Sequence, residues 1–335
     1  MAHEIDMSNG RANMAYAEGT AKPWTSLGFT VKPDATIDEW AQAAGLNFTV
    51  LKGSLLFRDA EGVLREAGKD LNRTVLYRSD TFAPLSVMSG NRYKIHQPDA
   101  ILGFIGEVSR ETGWPVNTAG SLYGGRKIWA LLKLPEEFEL PGGDKVVGHL
   151  LAATSFDGSS GSEFRFVSER VVCANTLQMA LGENAKHRAV VYHDSLIDPK
   201  RVKADLGMIS EPIWSKFIET AKRLTEIKLS RDEAVHILRV VYDRGPIESI
   251  ATRIPDEQFV LENEVARRVL SLYDGAGIGS NLASAMNTGW GLVNAVTQNV
   301  DHFGKNRNTR LNSAWFGPGA ALKAAVVDAV LDVAA

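Results

Sequence analysis

One cysteine, Cys173, occurs among the 335 residues of the chain, and no apolar run approaches the length of a membrane-spanning helix. A single cysteine excludes a disulfide within the chain and a cysteine-rich zinc site. The first residues, MAHEIDMSNG, lack a basic region followed by an apolar run, so we expect no signal peptide. We therefore expect a cytoplasmic protein, in a bacterial host or a phage-infected cell, with no membrane partner.

Charge of one sign does not dominate the chain, since 37 Lys and Arg face 40 Asp and Glu, for a formal net charge of -3. This balance excludes a uniformly basic surface. It leaves room for one basic groove, because binding depends on the local field more than on the sum of charges.

Motifs for cofactors and catalysis are also lacking: the chain has no phosphate loop, no dinucleotide fingerprint after a strand and no nucleophile elbow. The histidines are scattered, and we interpret His187 and His193, six residues apart, as polar surface residues. We therefore predict no cofactor, no metal ligand set and no catalytic residue.

Alternating and turn-forming residues predict a long β-hairpin over residues 145–172. Lys145–Thr154 and Glu163–Val172 have the pattern of strands, and the Asp-Gly and Ser-Gly pairs between them are typical of a turn. Cys173–Leu181, which follows, is predicted to be a buried helix because its leucines recur four residues apart.

The rest of the chain predicts an α+β fold, with a central antiparallel sheet, packed helices and a mostly helical C-terminal part. Thr36 and Ser230 each precede a glutamate by three residues, which predicts two capped helix starts, and Pro98 opens a third helix. Strands are predicted at Val116–Leu122, Lys127–Leu134, Lys145–Thr154 and Phe164–Val172. We expect an N-terminal arm with a small α/β segment (1–75), a sheet core (76–200) and a helical region (205–335).

Cations stand beside aromatic or amide residues at several places on the predicted sheet. Phosphates need such donors, and single-stranded bases need flat faces for stacking. Arg165 and Arg170, five residues apart, point to opposite faces of a regular strand, which is a weakness of this interpretation. The candidate nucleic-acid-binding residues are Arg92, Tyr93, Lys94, Arg126, Lys127, Trp129, Arg165, Arg170, Lys305, Arg307 and Arg310, with phosphate contacts from Arg126, Lys127, Arg165 and Arg170 and stacking on Tyr93 and Trp129.

Several stretches resemble the phage/plasmid-like protein family known as domain of unknown function 932. They are RYKIHQP, TAGSLYGGRKIWALLKLP, TSFDGSSGSEFRFVSERVVCANTL, NAVTQNVDH and RLNSAWFGPGAALK. The resemblance implies a gene of phages, prophages or conjugative plasmids, without an established reaction. Thr25 and Phe156 stand where the family usually has histidine, which puts any role of those histidines in doubt here.

The predicted order of helix, antiparallel strands, hairpin and helix is also similar to the single-strand annealing recombinases of the RecT and Red-beta type. That similarity implies an ATP-independent protein that binds and anneals single-stranded DNA in phage or plasmid recombination, as a homo-oligomeric ring or filament. One alternative is a metal-dependent enzyme acting on nucleic acid or nucleotides, with Asp157 and Glu169 holding Mg²⁺. A second alternative is a structural or host-interaction protein.

Overall fold

The computed structural model of the chain describes residues 5–8, 10–19, 27–32, 34–89, 91–170, 175–178, 188–207, 213–242, 255–303 and 310–333. Of the candidate residues, Lys305 and Arg307 lie outside this part, as do the side chains of Arg170 and Arg310. Cys173 and His187 lie outside it too. The fold is α+β, with an antiparallel-rich sheet and a helical C-terminal region, which confirms the predicted class.

The described strands are β1 (Met14–Ala17), β2 (Phe29–Val31), β3 (Val50–Gly53), β4 (Leu56–Arg58), β5 (Leu64–Glu66), β6 (Arg73–Arg78), β7 (Pro84–Ser89), β8 (Val116–Leu122), β9 (Lys127–Leu140), β10 (Asp144–Ser155), β11 (Ser162–Arg170), β12 (Asn175–Gln178) and β13 (Arg188–Val191). The described helices are α1 (Ile37–Ala43), α2 (Pro98–Thr112), α3 (Pro199–Asp205), α4 (Ile213–Glu226), α5 (Arg231–Tyr242), α6 (Asp256–Glu262), α7 (Glu264–Ser271), α8 (Gly289–Phe303), α9 (Arg310–Phe316) and α10 (Pro318–Val333). In these ranges no helix combines the length and apolar character that crossing a bilayer demands.

Two compact units make up the chain. Unit 1 comprises Met1–Pro135, His149–Phe166 and Lys186–Ser210, and unit 2 comprises Glu136–Gly148, Val167–Ala185 and Glu211–Ala335. Strands β9, β10 and β11 each begin in one unit and end in the other, so the boundary crosses the hairpin that the sequence predicts.

Unit 1 contains most of the large sheet, in the strand order β11-β10-β9-β8-β1-β2, with β13 paired to β11. β1 and β2 are parallel, while β8 is antiparallel to both β1 and β9. Helix α2 buries its apolar residues, and Phe104 on that helix meets Phe164 of β11 edge to face, with ring centroids 4.6 Å apart. A smaller sheet, β3-β6-β7, and the two-stranded β4-β5 complete this unit.

Helix starts in both units follow the predicted capping boxes. The Thr36 side chain accepts from the amide of Glu39, and the Glu39 carboxylate accepts from the amide of Thr36. Ser230 and Glu233 make the same pair of bonds at the start of α5. Each box satisfies amides that would otherwise lack partners, so these two starts are confirmed.

Unit 2 is built around α8, in which every residue from Gly289 to Val300 is buried. Asp144, buried at the start of β10, accepts from Ser284 Oγ at 2.6 Å and Trp290 Nε1 at 3.0 Å. The predicted helix over Cys173–Leu181 is wrong at residues 175–178, which form β12 and pair with β11. An apolar run this short does not distinguish a strand from a buried helix.

A fully buried ion pair connects distant parts of unit 1. Arg78 Nη1 lies 2.6 Å from Asp6 Oδ2, and neither side chain is exposed. Asp80 contacts a second nitrogen of the guanidinium at 2.7 Å, and the Phe48 ring lies 4.0 Å from it. Ser121 Oγ donates to the Asp6 carboxylate, so the cluster ties β8 to β6.

We expect the substitution Arg78→Met to lower the free energy of unfolding by about 3–5 kcal/mol, because it leaves Asp6 buried without its cation. Urea denaturation of the full chain measures this change. Arg65→Met, which removes an exposed cation paired with Asp59, is the matched control and should cost under about 1 kcal/mol. Equal effects of the two substitutions would contradict the role given to the buried pair.

Candidate nucleic-acid interface

The tip of the β10–β11 hairpin is a braced turn in unit 1. Ser155 Oγ accepts from the amide of Ser160 at 3.1 Å and donates to its carbonyl at 2.7 Å. Asp157 Oδ1 accepts from the amide of Ser159 at 2.9 Å, the side-chain turn that Asp favours before Gly. Gly158 has φ +75°, a left-handed conformation that favours glycine.

Three distant segments hydrogen-bond to the backbone of this tip. Tyr93 Oη donates to the carbonyl of Ser155 at 3.1 Å, and Ser86 Oγ donates to the carbonyl of Phe156. The amide of Phe156 donates to the carbonyl of Arg126 at 2.7 Å. Phe156 itself is fully buried. The tip therefore gathers β7, the segment around Tyr93 and the turn before β9.

Three of the candidate cations are exposed on two of these segments. They are Arg92, Lys94 and Arg126. The backbone around Lys94 is held in place, because its amide donates to the carbonyl of His193 at 2.6 Å and its carbonyl accepts from His193 Nδ1 at 2.9 Å. We call the three cations and residues 156–161 the tip surface.

Tyr93 is half-buried and stacks on a pair of histidines, His193 and His96, whose contact the sequence did not predict. Its ring lies 4.5 Å from the ring of His193, which lies 4.3 Å from that of His96. One face of Tyr93 is thus covered by protein. His193, interpreted from the sequence as a surface residue, is half-buried, and burial lowers its pKa to about 4.

Hydrogen bonds orient His96 at the inner end of this stack. Its Nε2 donates to the carbonyl of Ser195 at 2.8 Å, so Nε2 carries a proton. Its Nδ1 lies 2.7 Å from Ser162 Oγ, which in turn lies 2.7 Å from Thr154 Oγ1. In the sequence, His96 stands out only as part of the stretch RYKIHQP. Its hydrogen-bond partners Ser162 and Ser195 are 66 and 99 residues away, so no local pattern predicts these bonds.

Three other candidates, Lys127, Trp129 and Arg165, are buried. Trp129 is 2% exposed, and a Cβ on Gly120 would lie 2.6 Å from its ring. In β9, seven of the eight residues 127–134 are buried, so protein covers both faces of the strand and alternation does not bring side chains to the surface. Neither a base nor a phosphate reaches these three side chains in this conformation.

Acidic neighbours balance the buried cations. Arg165 Nη1 lies 3.2 Å from Glu163 Oε2, and Arg188 Nη2 lies 2.9 Å from Glu163 Oε1. Burial lowers the pKa of Arg165 to about 10. Burial also lowers the pKa of Lys127, while Asp157 and Glu163 act in the opposite direction. Lys127 and Arg165 are therefore buried beside acidic groups, whereas Arg92, Lys94 and Arg126 are exposed.

The predicted alternative of a metal centre has no counterpart in the described ranges, where no group of three or more His, Cys, Asp or Glu side chains is arranged to hold an ion. Asp157, one of its two proposed ligands, uses Oδ1 in the turn of the tip. No geometry in the described residues therefore assigns Mg²⁺ to Asp157 and Glu169.

Acid should destabilise the fold through its buried histidines. Burial, followed by the nearby charge of Lys133, lowers the pKa of His149 to about 4, whereas the unfolded value is near 6.5. Between these values the unfolded state binds the proton and the folded state does not. The free energy of unfolding should therefore fall as pH drops from 6.5 to 4, by about 3 kcal/mol for His149.

Urea denaturation at several pH values measures this loss, and the substitution His149→Gln should make the dependence on pH shallower. An unaltered slope in the His149 variant would show that this ring does not titrate as the structure requires.

Comparison with known proteins gives one match. The family model described as Domain of unknown function (DUF932) matches residues 84–315, which are 232 of the 335 residues and include β7 through α9 as far as Trp315. Neither the curated proteins nor the solved structures contain a match to the chain.

Proposed function

The chain belongs to the DUF932 family, and we propose that it binds single-stranded DNA at the tip surface and anneals complementary strands without ATP. One observation carries the proposal. Arg92, Lys94 and Arg126 come from two segments more than 30 residues apart, yet both segments are hydrogen-bonded to the same hairpin tip with their cations exposed.

Exposed cations on a braced backbone suit a polyanion. Each Lys or Arg that neutralises a phosphate releases a condensed counterion, and this release drives binding without base specificity. The bonds from Tyr93 Oη to Ser155 and between Lys94 and His193 limit backbone motion. Less conformational entropy is then lost when a strand binds.

Phosphate contacts carry more of this proposal than base stacking does. Trp129 is buried, and His193 covers one face of Tyr93. We therefore assign the affinity to Arg92, Lys94 and Arg126, with little preference for base sequence. Arg170, Lys305, Arg307 and Arg310 stay in the proposal as expectations from the sequence alone.

The annealing step and the homo-oligomeric ring or filament rest on the resemblance to annealing recombinases in the order of elements. An assembly of copies would join successive tip surfaces into a path for one strand, which a complementary strand then pairs with. Phage or plasmid recombination is the setting that this resemblance supplies. Binding and annealing are separable, so they are tested separately.

One observation favours a second candidate, an interaction protein that contacts a host protein. Apolar side chains on β4 and β5 and in their connection are exposed, among them Leu56, Phe57 and Leu64. Leu56 and Leu64 share one face of this two-stranded sheet, and exposed apolar side chains on one face are typical of interaction surfaces. This candidate requires no nucleic acid and gains weight if the binding experiment below fails.

Fluorescence anisotropy of a labelled thymidine oligonucleotide, titrated with protein at several salt concentrations, tests the binding proposal. We expect the triple variant Arg92→Glu, Lys94→Glu, Arg126→Glu to bind at least ~10-fold more weakly at low salt. The slope of log affinity against log salt should become shallower by about 2, because each phosphate contact with a single strand contributes about 0.7.

The control carries Arg65→Glu, Lys200→Glu and Arg201→Glu, three exposed cations of unit 1 that do not belong to the tip surface. It has the same change in net charge and should retain most of the affinity. Equal binding by the wild type and the tip variant would remove the tip surface from the proposal. Binding without faster pairing of complementary oligonucleotides would overturn the annealing step alone.

A further inference from the structure

A polar cleft lies in unit 1, and its lining includes no residue of the tip surface. Its volume is about 440 Å³, and it opens between β3, β5, the start of β6 and the residue before Arg92. The side chains that matter for its chemistry are Lys52, Glu66, Lys69, Asn72, Arg73 and Asn91. Nothing in the sequence predicted this cleft.

The loop that forms one wall is tightly folded. The amide of Arg73 donates to the carbonyl of Gly68 at 2.8 Å, and the amide of Asn72 donates to the carbonyl of Lys69 at 3.2 Å. A Cβ on Gly68 would lie 2.8 Å from the carbonyl oxygen of Arg73, so this approach requires glycine. Asn72 has φ +48°, a left-handed conformation uncommon outside glycine.

Positive charge is in excess in the cleft, with three cations and one carboxylate. Glu66 lies 3.7 Å from Lys69 Nζ and accepts from Ser54 Oγ at 3.3 Å, so it offsets a single cation. The side chain of Lys69 is 84% exposed and that of Arg73 is also exposed. A net excess of two positive charges favours an anionic ligand.

The cleft adjoins the backbone that carries two of the tip cations. Lys52 Nζ donates to the carbonyl of Tyr93 at 3.0 Å, and Asn91 lines the cleft directly before Arg92. Lys52 and Asn91 therefore connect the lining of the cleft to segment 91–94.

We propose that this cleft binds a nucleoside phosphate. Arg73 and Lys69 hold the phosphate, since a guanidinium and an ammonium are its usual partners. The side-chain carboxamides of Asn72 and Asn91 supply hydrogen-bond donors and acceptors for the sugar or base. The volume lies in the range of small-ligand sites, which is about 300–1,000 Å³. The ligand is either a free nucleotide or one nucleotide of a bound strand, and the second source rests on the proposed function.

Isothermal titration calorimetry of the full chain with thymidine monophosphate tests the site, with inorganic phosphate as the comparison ligand. The variant Lys69→Glu, Arg73→Glu should bind the nucleotide at least tenfold more weakly. Arg58→Glu, Arg65→Glu, on β4 and β5 outside the cleft, carries the same charge change and should bind as the wild type does. Lys69→Gln, Arg73→Gln provides a milder second variant, and thermal melting monitors the folding of each.

Anisotropy with the thymidine oligonucleotide separates the two sources. If the cleft variant loses nucleotide binding and the tip variant keeps it, the cleft is a site for a free nucleotide. Oligonucleotide binding weakened by the cleft variant, without nucleotide binding, assigns the cleft to the strand. That result stands even if the tip variant binds normally and the tip surface fails. If both cleft variants bind the nucleotide and the oligonucleotide as the wild type does, the inference is overturned. If inorganic phosphate binds as tightly as the nucleotide, the cleft recognises phosphate alone and the assignment to a nucleoside phosphate is overturned.

Discussion

The polar backbone at the tip of the long hairpin is the constraint on which the proposed tip surface depends. A turn of six residues leaves amides and carbonyls that the strand ladder does not pair, and buried groups of this kind cost free energy unless they find partners. Ser155 and Phe156 find them in Tyr93, Ser86 and Arg126, which come from three separate segments. The positions of the exposed cations follow from these bonds.

The same residue types have opposite roles according to their burial. Arg78 and Arg165 are buried and lie against Asp6 and Glu163, because a charge removed from water needs a close counter-charge. Arg92 and Lys94 are exposed, and a ligand phosphate can reach them. A cation therefore counts toward a binding site only after its burial and its acidic neighbours are known.

Local patterns predicted much of the fold and less of the site. The capping boxes at Thr36 and Ser230, and the strand at Val116–Leu122, depend on residues within a few positions of one another, and the structure has them as expected. The burial of Trp129 was not foreseeable in this way, because it depends on what covers β9 from other parts of the chain. The lysines and arginine of the polar cleft are separated by up to 21 residues and form no motif, so only the paired strands bring them together.

The most direct test of the tip surface is to find where a bound strand touches the chain. A thymidine oligonucleotide that contains 4-thiothymidine is crosslinked to the protein by light, and mass spectrometry identifies the crosslinked peptides. Our account predicts crosslinks in peptides that contain residues 91–96, 124–127 and 155–162. Crosslinks confined to unit 2, with none in these three segments, would contradict it.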